Sequence, residues 1–377
     1  MPGAEMLIQE GLKELSDDAR FALDRVFCLQ RGSEVATNRG DSHAAVTRAQ
    51  GAQRALSQSP FRPEVLELDN LIILAGAYWH AGQVREASTA FEQASARLTA
   101  LGRDNTQRAG TLFNNWGAAL WMWGRPLDAE RLLRRAIAVG QDSQAEATVS
   151  PMVLVNYART LNELGRLGEA ADYAERAYAK AQTAGDQTVA NQSLLVRTAI
   201  YRNQGDLERA GQMLSEVEPT LRRNLPAGHI AFASLALQRA LNAQARGDMQ
   251  TALVLASQAV AIAEASSREG HLAAGYLERF LVSRSETQLQ LGHKDEAAGD
   301  AWRAVKMLLG SAQPGTLSST LGRAYLALGR ALQAQGKLEE SRSAFRPAVE
   351  SLESALGPDH AETRSARQFV EAEIRLR

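Results

Sequence analysis

One cysteine, Cys28, stands in 377 residues, so no disulfide can form within the chain. It lies in the apolar run Val26-Phe27-Cys28-Leu29, where a thiol serves as a small core side chain. Aromatic residues make up only 6% of the sequence, and no stretch alternates apolar and polar residues in the β-branched, aromatic manner of a strand. Charge of one sign is also missing. The 42 basic and 43 acidic side chains leave a net charge of −1, which gives no field to draw in nucleic acid. Long apolar runs are absent: Leu71 to Trp79 is too short to span a bilayer, and Ala252 to Ala263 is broken by Ser257 and Gln258. The opening Met1-Pro2-Gly3-Ala4-Glu5 has neither the basic segment nor the apolar run of a signal peptide. A cytoplasmic location without membrane contact is the expectation.

Motifs for chemistry are wanting as well. There is no Gly-rich phosphate loop ending in Lys-Ser or Lys-Thr, no G-x-S-x-G, no CxxC and no pair of histidines at metal-binding spacing. Gly336-Lys337-Leu338 reads as a hairpin turn. The six histidines are dispersed: His43 and His293 fall in hairpin turns, His229, His271 and His360 near linkers, and His80 at a helix end. Solvated or capping roles are expected for them. No catalytic residue, cofactor or metal is expected.

What is present is a repeat. Gly40, Gly82, Gly124, Gly165, Gly205, Gly247, Gly292 and Gly336 follow one another at separations of 40 to 45 residues. Five residues after each stands a small side chain: Ala45, Ala87, Ala129, Ala170, Ala210, Ala252, Ala297 and Ser341. Seven further on come Ala52, Ala94, Ala136, Ala177, Ala259, Ala304 and Ala348, with Val217 the one larger residue. A glycine can end a helix in a left-handed conformation, and small residues two turns apart on the next helix let the pair approach closely. Upstream of each glycine the first helix carries its own apolar face, as in Leu71, Leu74, Ala75 and Tyr78, or Phe113, Trp116, Gly117 and Leu120. The last unit has Tyr325, Leu328, Gly329 and Leu332, followed by Ser341 and Phe345.

These residues resemble the tetratricopeptide pattern, with the longer period found in kinesin light chains and many bacterial signalling proteins. The segments Leu101-Gly102-Arg103-Asp104 and Leu356-Gly357-Pro358-Asp359-His360-Ala361-Glu362-Thr363 resemble linkers of that subfamily. The resemblance implies an all-α, right-handed superhelical solenoid of about eight helical hairpins over residues 23–357. Segments 1–22 and 358–377 would be capping helices, since a terminal hairpin otherwise leaves an apolar face in water. Met6, Leu7, Gly11, Leu12 and Leu15 supply the apolar side of the first, and Phe369, Val370 and Ile374 that of the second. Each hairpin is expected to touch only its neighbours.

Proline and glycine punctuate this frame. Pro63, Pro151 and Pro314 suit first turns of first helices and Pro126 that of a second helix; Gly102, Gly140 and Gly185 suit positions after second helices. Pro219 and Pro347 fall late in second helices, where they should bend or end them.

The resemblance also implies that first helices line a concave surface. The stripe beside their packing face lies ten, six and three residues before each glycine. It offers Ile72 and Trp79; Asn114 and Trp121; Arg159 and Asn162; and Arg202, next to Asn203. These eight are the candidate peptide-binding residues, because aromatic and Arg side chains anchor interfaces and Asn can pair with an extended backbone. Trp116 and Trp302 are assigned to the core. The function expected is a non-enzymatic protein- or peptide-binding scaffold in bacterial signalling or complex assembly. The alternative is a small-molecule- or peptide-sensing domain of a transcriptional regulator or kinase-linked receptor.

Overall fold

The computed structural model describes residues 2–15, 19–61, 63–142, 149–225, 228–268 and 276–374. His271 and residues 375–377, and the side chain of Ile374, lie outside what it describes. Among the described residues every regular element is helical. In order they are α1 (Pro2–Glu14), a 3-10 turn (Ala19–Phe21), α2 (Ala22–Asn38), α3 (Ser42–Gln58), α4 (Glu64–His80), α5 (Val84–Ala100) and α6 (Gln107–Met122). There follow α7 (Pro126–Asp142), α8 (Pro151–Glu163), α9 (Leu167–Ala184), α10 (Gln187–Asn203), α11 (Leu207–Asn224) and α12 (Ile230–Ala245). The last six are α13 (Met249–Arg268), α14 (Tyr276–Gln290), α15 (Lys294–Ser311), α16 (Ser319–Ala334), α17 (Leu338–Leu356) and α18 (Ala361–Ile374).

The eight repeat glycines all have positive φ, from 72° to 87°. At each, the amide after the glycine reaches back five residues to a carbonyl of the preceding helix, as in Gln83 to Tyr78 (2.9 Å), Arg166 to Leu161 (2.9 Å) and Lys337 to Leu332 (2.9 Å). That closes the first helix and satisfies a carbonyl its last turn would otherwise leave bare. The same residue then starts the second helix. At Asp41 and Asp206 its carboxylate also accepts from the amide three residues on, at 3.0 Å in both cases. The small residues five and twelve positions beyond the glycines are buried throughout, Val217 included. The closeness they permit is visible in the last hairpin, where a Cβ built on Gly329 would lie 2.5 Å from Cε1 of Phe345.

Two compact units emerge, one of residues 1–115 with 267–274, the other of residues 116–266 with 275–377. In the first, α2 packs on α3 and α4 on α5 as hairpins, and α1 covers one side of α2. Val26, Ala52, Ala55 and Leu56 form one part of its core, and Ala36, Ala45, Val46 and Ala77 another. Cys28 is half-buried, 3.7 Å from the Ile8 carbonyl, and burial pushes its thiol up. Met6 and Leu7, expected on the apolar side of α1, are exposed, and Ile8 is buried in their place.

The second unit departs from the neighbour-only expectation. Its C-terminal helices return to its first ones. Helix α17 packs against α7, and Leu164 joins the cluster of Leu352, Ala355, Leu356 and Ala366. The Gly124 carbonyl accepts from the Ser319 amide at 2.7 Å, which closes part of the bare N-terminus of α16. A Cβ at Gly124 would sit 2.9 Å from the Thr320 nitrogen, so this turn must be glycine for space as well as for φ. Helix α18 leans on α17, with Phe369 stacked on Phe345 at 4.9 Å between centroids.

Several local expectations are corrected. Of the two outcomes expected for Pro219 and Pro347, bending or ending, ending does not occur: α11 and α17 run on to Asn224 and Leu356. Gly140 lies inside α7 rather than after it, and a Cβ there would meet Val149 Cγ2 at 2.9 Å. Pro314 sits in a turn ahead of α16, and Ser318, whose hydroxyl accepts from the Leu321 amide, is the residue that starts that helix. Pro63 occupies the N-cap of α4 rather than its first turn. Trp302 is not core: it is 56% exposed on α15.

Candidate functional site

In the first unit, Ile72 on α4 is 7% exposed and serves the core, so it offers a ligand little surface. Trp79, near the C-terminus of α4, is half-buried against His80, 4.6 Å between ring centroids, with its Nε1 buried and without an acceptor. Asn114 on α6 is half-buried, and its Nδ2 donates to Asn115 Oδ1 at 3.1 Å.

The other five candidates lie in the second unit, and the structure brings four of them into two pairs. Arg159 on α8 places its guanidinium carbon 4.7 Å from the Trp121 ring centroid. Asn203, at the end of α10, donates from Nδ2 to Asn162 Oδ1 at 3.0 Å, linking the ends of two consecutive first helices. Arg202 does not join either pair; its Nη1 donates to Gln238 Oε1 on α12 at 2.6 Å.

Three further residues, which the three-position stripe omitted, lie against these candidates. Arg279 on α14 lies over Trp121, 4.5 Å from the ring centroid. Glu163 on α8 pairs with Arg279 at 3.2 Å and with Arg323 on α16 at 2.5 Å, and also accepts from the Ser319 hydroxyl at 3.4 Å. Arg323 in turn pairs with Glu362 on α18 at 2.6 Å. Arg279 and Arg323 both stand thirteen residues before their turn glycines, Gly292 and Gly336. One more step of the same helical spacing, outward from the tenth position, would have found them.

Burial by itself would raise the Glu163 carboxyl, but Arg323 and Arg279, with hydrogen bonds from Arg323 and Ser319, hold it at about 2. Burial works against the Arg323 cation too, and Glu163 and Glu362 more than offset it. Arg159 and Arg202 have no carboxylate to offset their burial. Both are pushed down, Arg202 to about 10 by burial, Arg159 by burial against a smaller opposing pull from Tyr276, with a further push from its like-charged neighbour Arg279. On α14, Glu286 is raised, mainly by burial and further by Glu362, against the pull of Arg330 and Arg323. The site thus holds cations and a carboxylate whose charges are only partly matched.

Among the described residues no group of three or more His, Cys, Asp or Glu could hold a metal ion. Two histidines act as caps: Nδ1 of His229 accepts from the Ala231 amide at 3.2 Å, and Nδ1 of His360 from the Glu362 amide at 3.3 Å. Among the described residues no helix is long and apolar enough to cross a membrane.

Paired helices, left-handed glycine turns and small inter-helix residues at a period near 42 define a tetratricopeptide-type α-solenoid fold. Residues 321–362 match the sequence model of the tetratricopeptide repeat. Solved structures of similar fold include a Rap protein complexed with competence and sporulation factor, at a TM-score of 0.61 and 14% identity, covering 95% of this chain and 98% of that one. NprR in complex with its cognate peptide NprX is similar at a TM-score of 0.61 and 10% identity, covering 96% and 99% of the two chains. The apo form of the quorum sensor NprR from B. thuringiensis aligns at 0.55 and 13% identity, covering 92% of each. No curated protein matches the sequence itself.

Proposed function

We propose that this chain is a non-enzymatic scaffold that binds a peptide or protein segment on its first-helix faces, in bacterial signalling. The carrying observation is the composition of that face in the second unit. Where packing alone would favour aliphatic side chains, α6, α8 and α10 present Trp121, Arg159, Asn162, Arg202 and Asn203, each half-buried or exposed. Such side chains combine a large apolar area with donors that read a peptide's backbone and termini. Two of the structural neighbours that align over nearly their whole length are complexes, one with competence and sporulation factor and one with the cognate peptide NprX, and the latter supports a peptide ligand over a small metabolite. A sensing role, as in the quorum sensor among the neighbours, fits the same face. Trp79 and Asn114 are proposed as a separate, weaker contribution of the first unit, to which the buried Ile72 adds little surface.

The test starts from peptides that co-purify with the full chain, identified by mass spectrometry and resynthesised. Titration calorimetry should show binding to the wild type and a loss of about thirtyfold in Trp121→Ala, with the thermal transition retained. Normal binding by both Trp121→Ala and Arg159→Ala would move the site off this face.

A further inference from the structure

We propose that this chain forms a two-fold dimer through α15, whose outward stripe is its own complement. The proposal goes beyond the peptide-binding reading and uses none of its residues. Among the described residues, the largely exposed bulky apolar side chains of the second unit are Val254, Trp302, Leu309 and Leu338. All four stand on the second helices α13, α15 and α17, and Trp302 and Leu309 share α15. Exposed apolar side chains gathered on one face, a Trp above all, mark a surface that another molecule covers.

Asp295, Gly299, Trp302, Lys306 and Leu309 are all exposed. Their spacings of four, three, four and three residues set them in one line along the helix, the spacing of a seam between two packed helices. Ala297, Ala301, Ala304 and Val305 are the buried side of α15, which packs on α14 and α16, so the seam itself is left to solvent. It has a knob and a hole. A Cβ built on Gly299 would meet nothing within 4 Å, and the residue is not among those of positive φ. Glycine inside a helix costs stability, and here neither the backbone nor a neighbour in the chain requires it. Its bare backbone leaves a notch one turn before the Trp302 ring.

Knob and hole meet across a pair. In two antiparallel copies of α15, an axis midway between Asp300 and Ala301 sets Trp302 of each copy opposite Gly299 of the other. The same register sets Lys306 of each copy opposite Asp295 of the other. One placement therefore seats two rings in two notches and forms two ion pairs. A parallel pair would oppose Lys306 to Lys306 and Asp295 to Asp295. Asp295 already accepts from Gln335 Nε2 at 2.7 Å, which holds its carboxylate at the head of the helix.

The surface continues onto α13, whose exposed line Thr251, Val254, Gln258 and Ala261 is uncharged and which the Arg303 to Glu264 ion pair ties to α15. On α17 the exposed line is Glu339, Ser343, Arg346, Glu350 and Glu353, a polar rim. Rim charges fix register and partner choice more than they add affinity, so the dimer is weak and depends on concentration.

The experiment is sedimentation velocity of the full chain at low ionic strength, with thermal melts of every variant. Between about 1 and 200 µM, the range of a small interface, the wild-type mass should rise from monomer towards dimer. Trp302→Ala should weaken association at least about tenfold. Gly299→Leu should abolish it by filling the notch, while its melting temperature is unchanged or higher, since Leu favours a helix. Charge reads the register. Asp295→Lys and Lys306→Glu each set like charges opposite one another twice, so each alone should stay monomeric. An equimolar mixture of these two variants should dimerise again, because one is then positive at both positions and the other negative at both. A mixture that stays monomeric overturns the antiparallel register. A wild type that is monomeric at every concentration overturns the dimer and leaves the stripe to a partner of another kind. A wild-type dimer that none of the variants disturbs also overturns the proposal, placing self-association elsewhere.

Discussion

Glu163 and Arg323, separated by 160 residues in the chain, form an ion pair of 2.5 Å in which Glu163 also holds Arg279 at 3.2 Å. One carboxylate thereby ties α8 to α14 and α16. Glu163 is 11% exposed at its side chain, so the pair is little screened by solvent.

Acid should expose this linkage. The folded-state pKa of Glu163 is depressed to about 2, below its ordinary value of 4.5. Its contribution is therefore complete above the ordinary value and is lost as pH falls through the folded one. Glu163→Gln should cost about 3–5 kcal/mol at neutral pH, since it strands the facing guanidinia. Thermal melts from pH 7 to pH 2 should show the variant and wild type converging as acid is added; a constant gap would contradict the assignment.

Glu286 should behave in the opposite sense. Its carboxyl is raised, so the folded state holds its proton more tightly than the unfolded chain does. Stability is lost as pH rises through the unfolded and then the folded pKa. Glu286→Gln is accordingly expected to raise the melting temperature at neutral pH and to have little effect below pH 4.5, the ordinary value. Paired melts at the two pH values measure this.

The return of the chain at Gly124 can be separated from ordinary turn strain. Gly205→Ala should cost about 1–2 kcal/mol from its positive φ alone, because nothing lies within 4 Å of the added methyl. Gly124→Ala pays the same strain and also meets the Thr320 nitrogen and Ser319 Oγ, at 2.9 and 3.1 Å. A further loss of about 1–3 kcal/mol is expected. Urea denaturation of both variants gives the difference, and equal costs would argue against the contact.

Ala129 tests the hairpin itself. It is fully buried, and its carbonyl oxygen lies 3.4 Å from the place a Cβ would occupy on Gly117 of the partner helix. Ala129→Phe should destabilise by about 1–3 kcal/mol through overpacking. An unchanged denaturation midpoint would count against the pairing of α6 with α7.

The sequence by itself determined the helices, the turns and the pairs. A glycine at each turn, a small residue five positions later and an apolar face before it are local requirements of backbone geometry and helix packing, so they recur at fixed spacing and can be read in one dimension. Trp121, Arg159, Asn162 and Asn203 were legible for the same reason: they occupy or adjoin a stripe defined by helical periodicity within their own hairpins. Local rules failed where a distant element intervened. The Gly124 turn is pressed by Ser319 and Thr320, nearly two hundred residues further on.

Only the tertiary structure decided that Arg279 faces Trp121, that Glu163 faces Arg323, and that α16 begins against the Gly124 turn. Those contacts join residues more than a hundred positions apart. No periodicity encodes them, because a small rotation at each successive hairpin accumulates into the final placement and no single residue pattern records the sum. The ion pairs that meet there, Glu163 with Arg279 and Arg323 and Arg323 with Glu362, are likewise invisible in a chain whose net charge is −1.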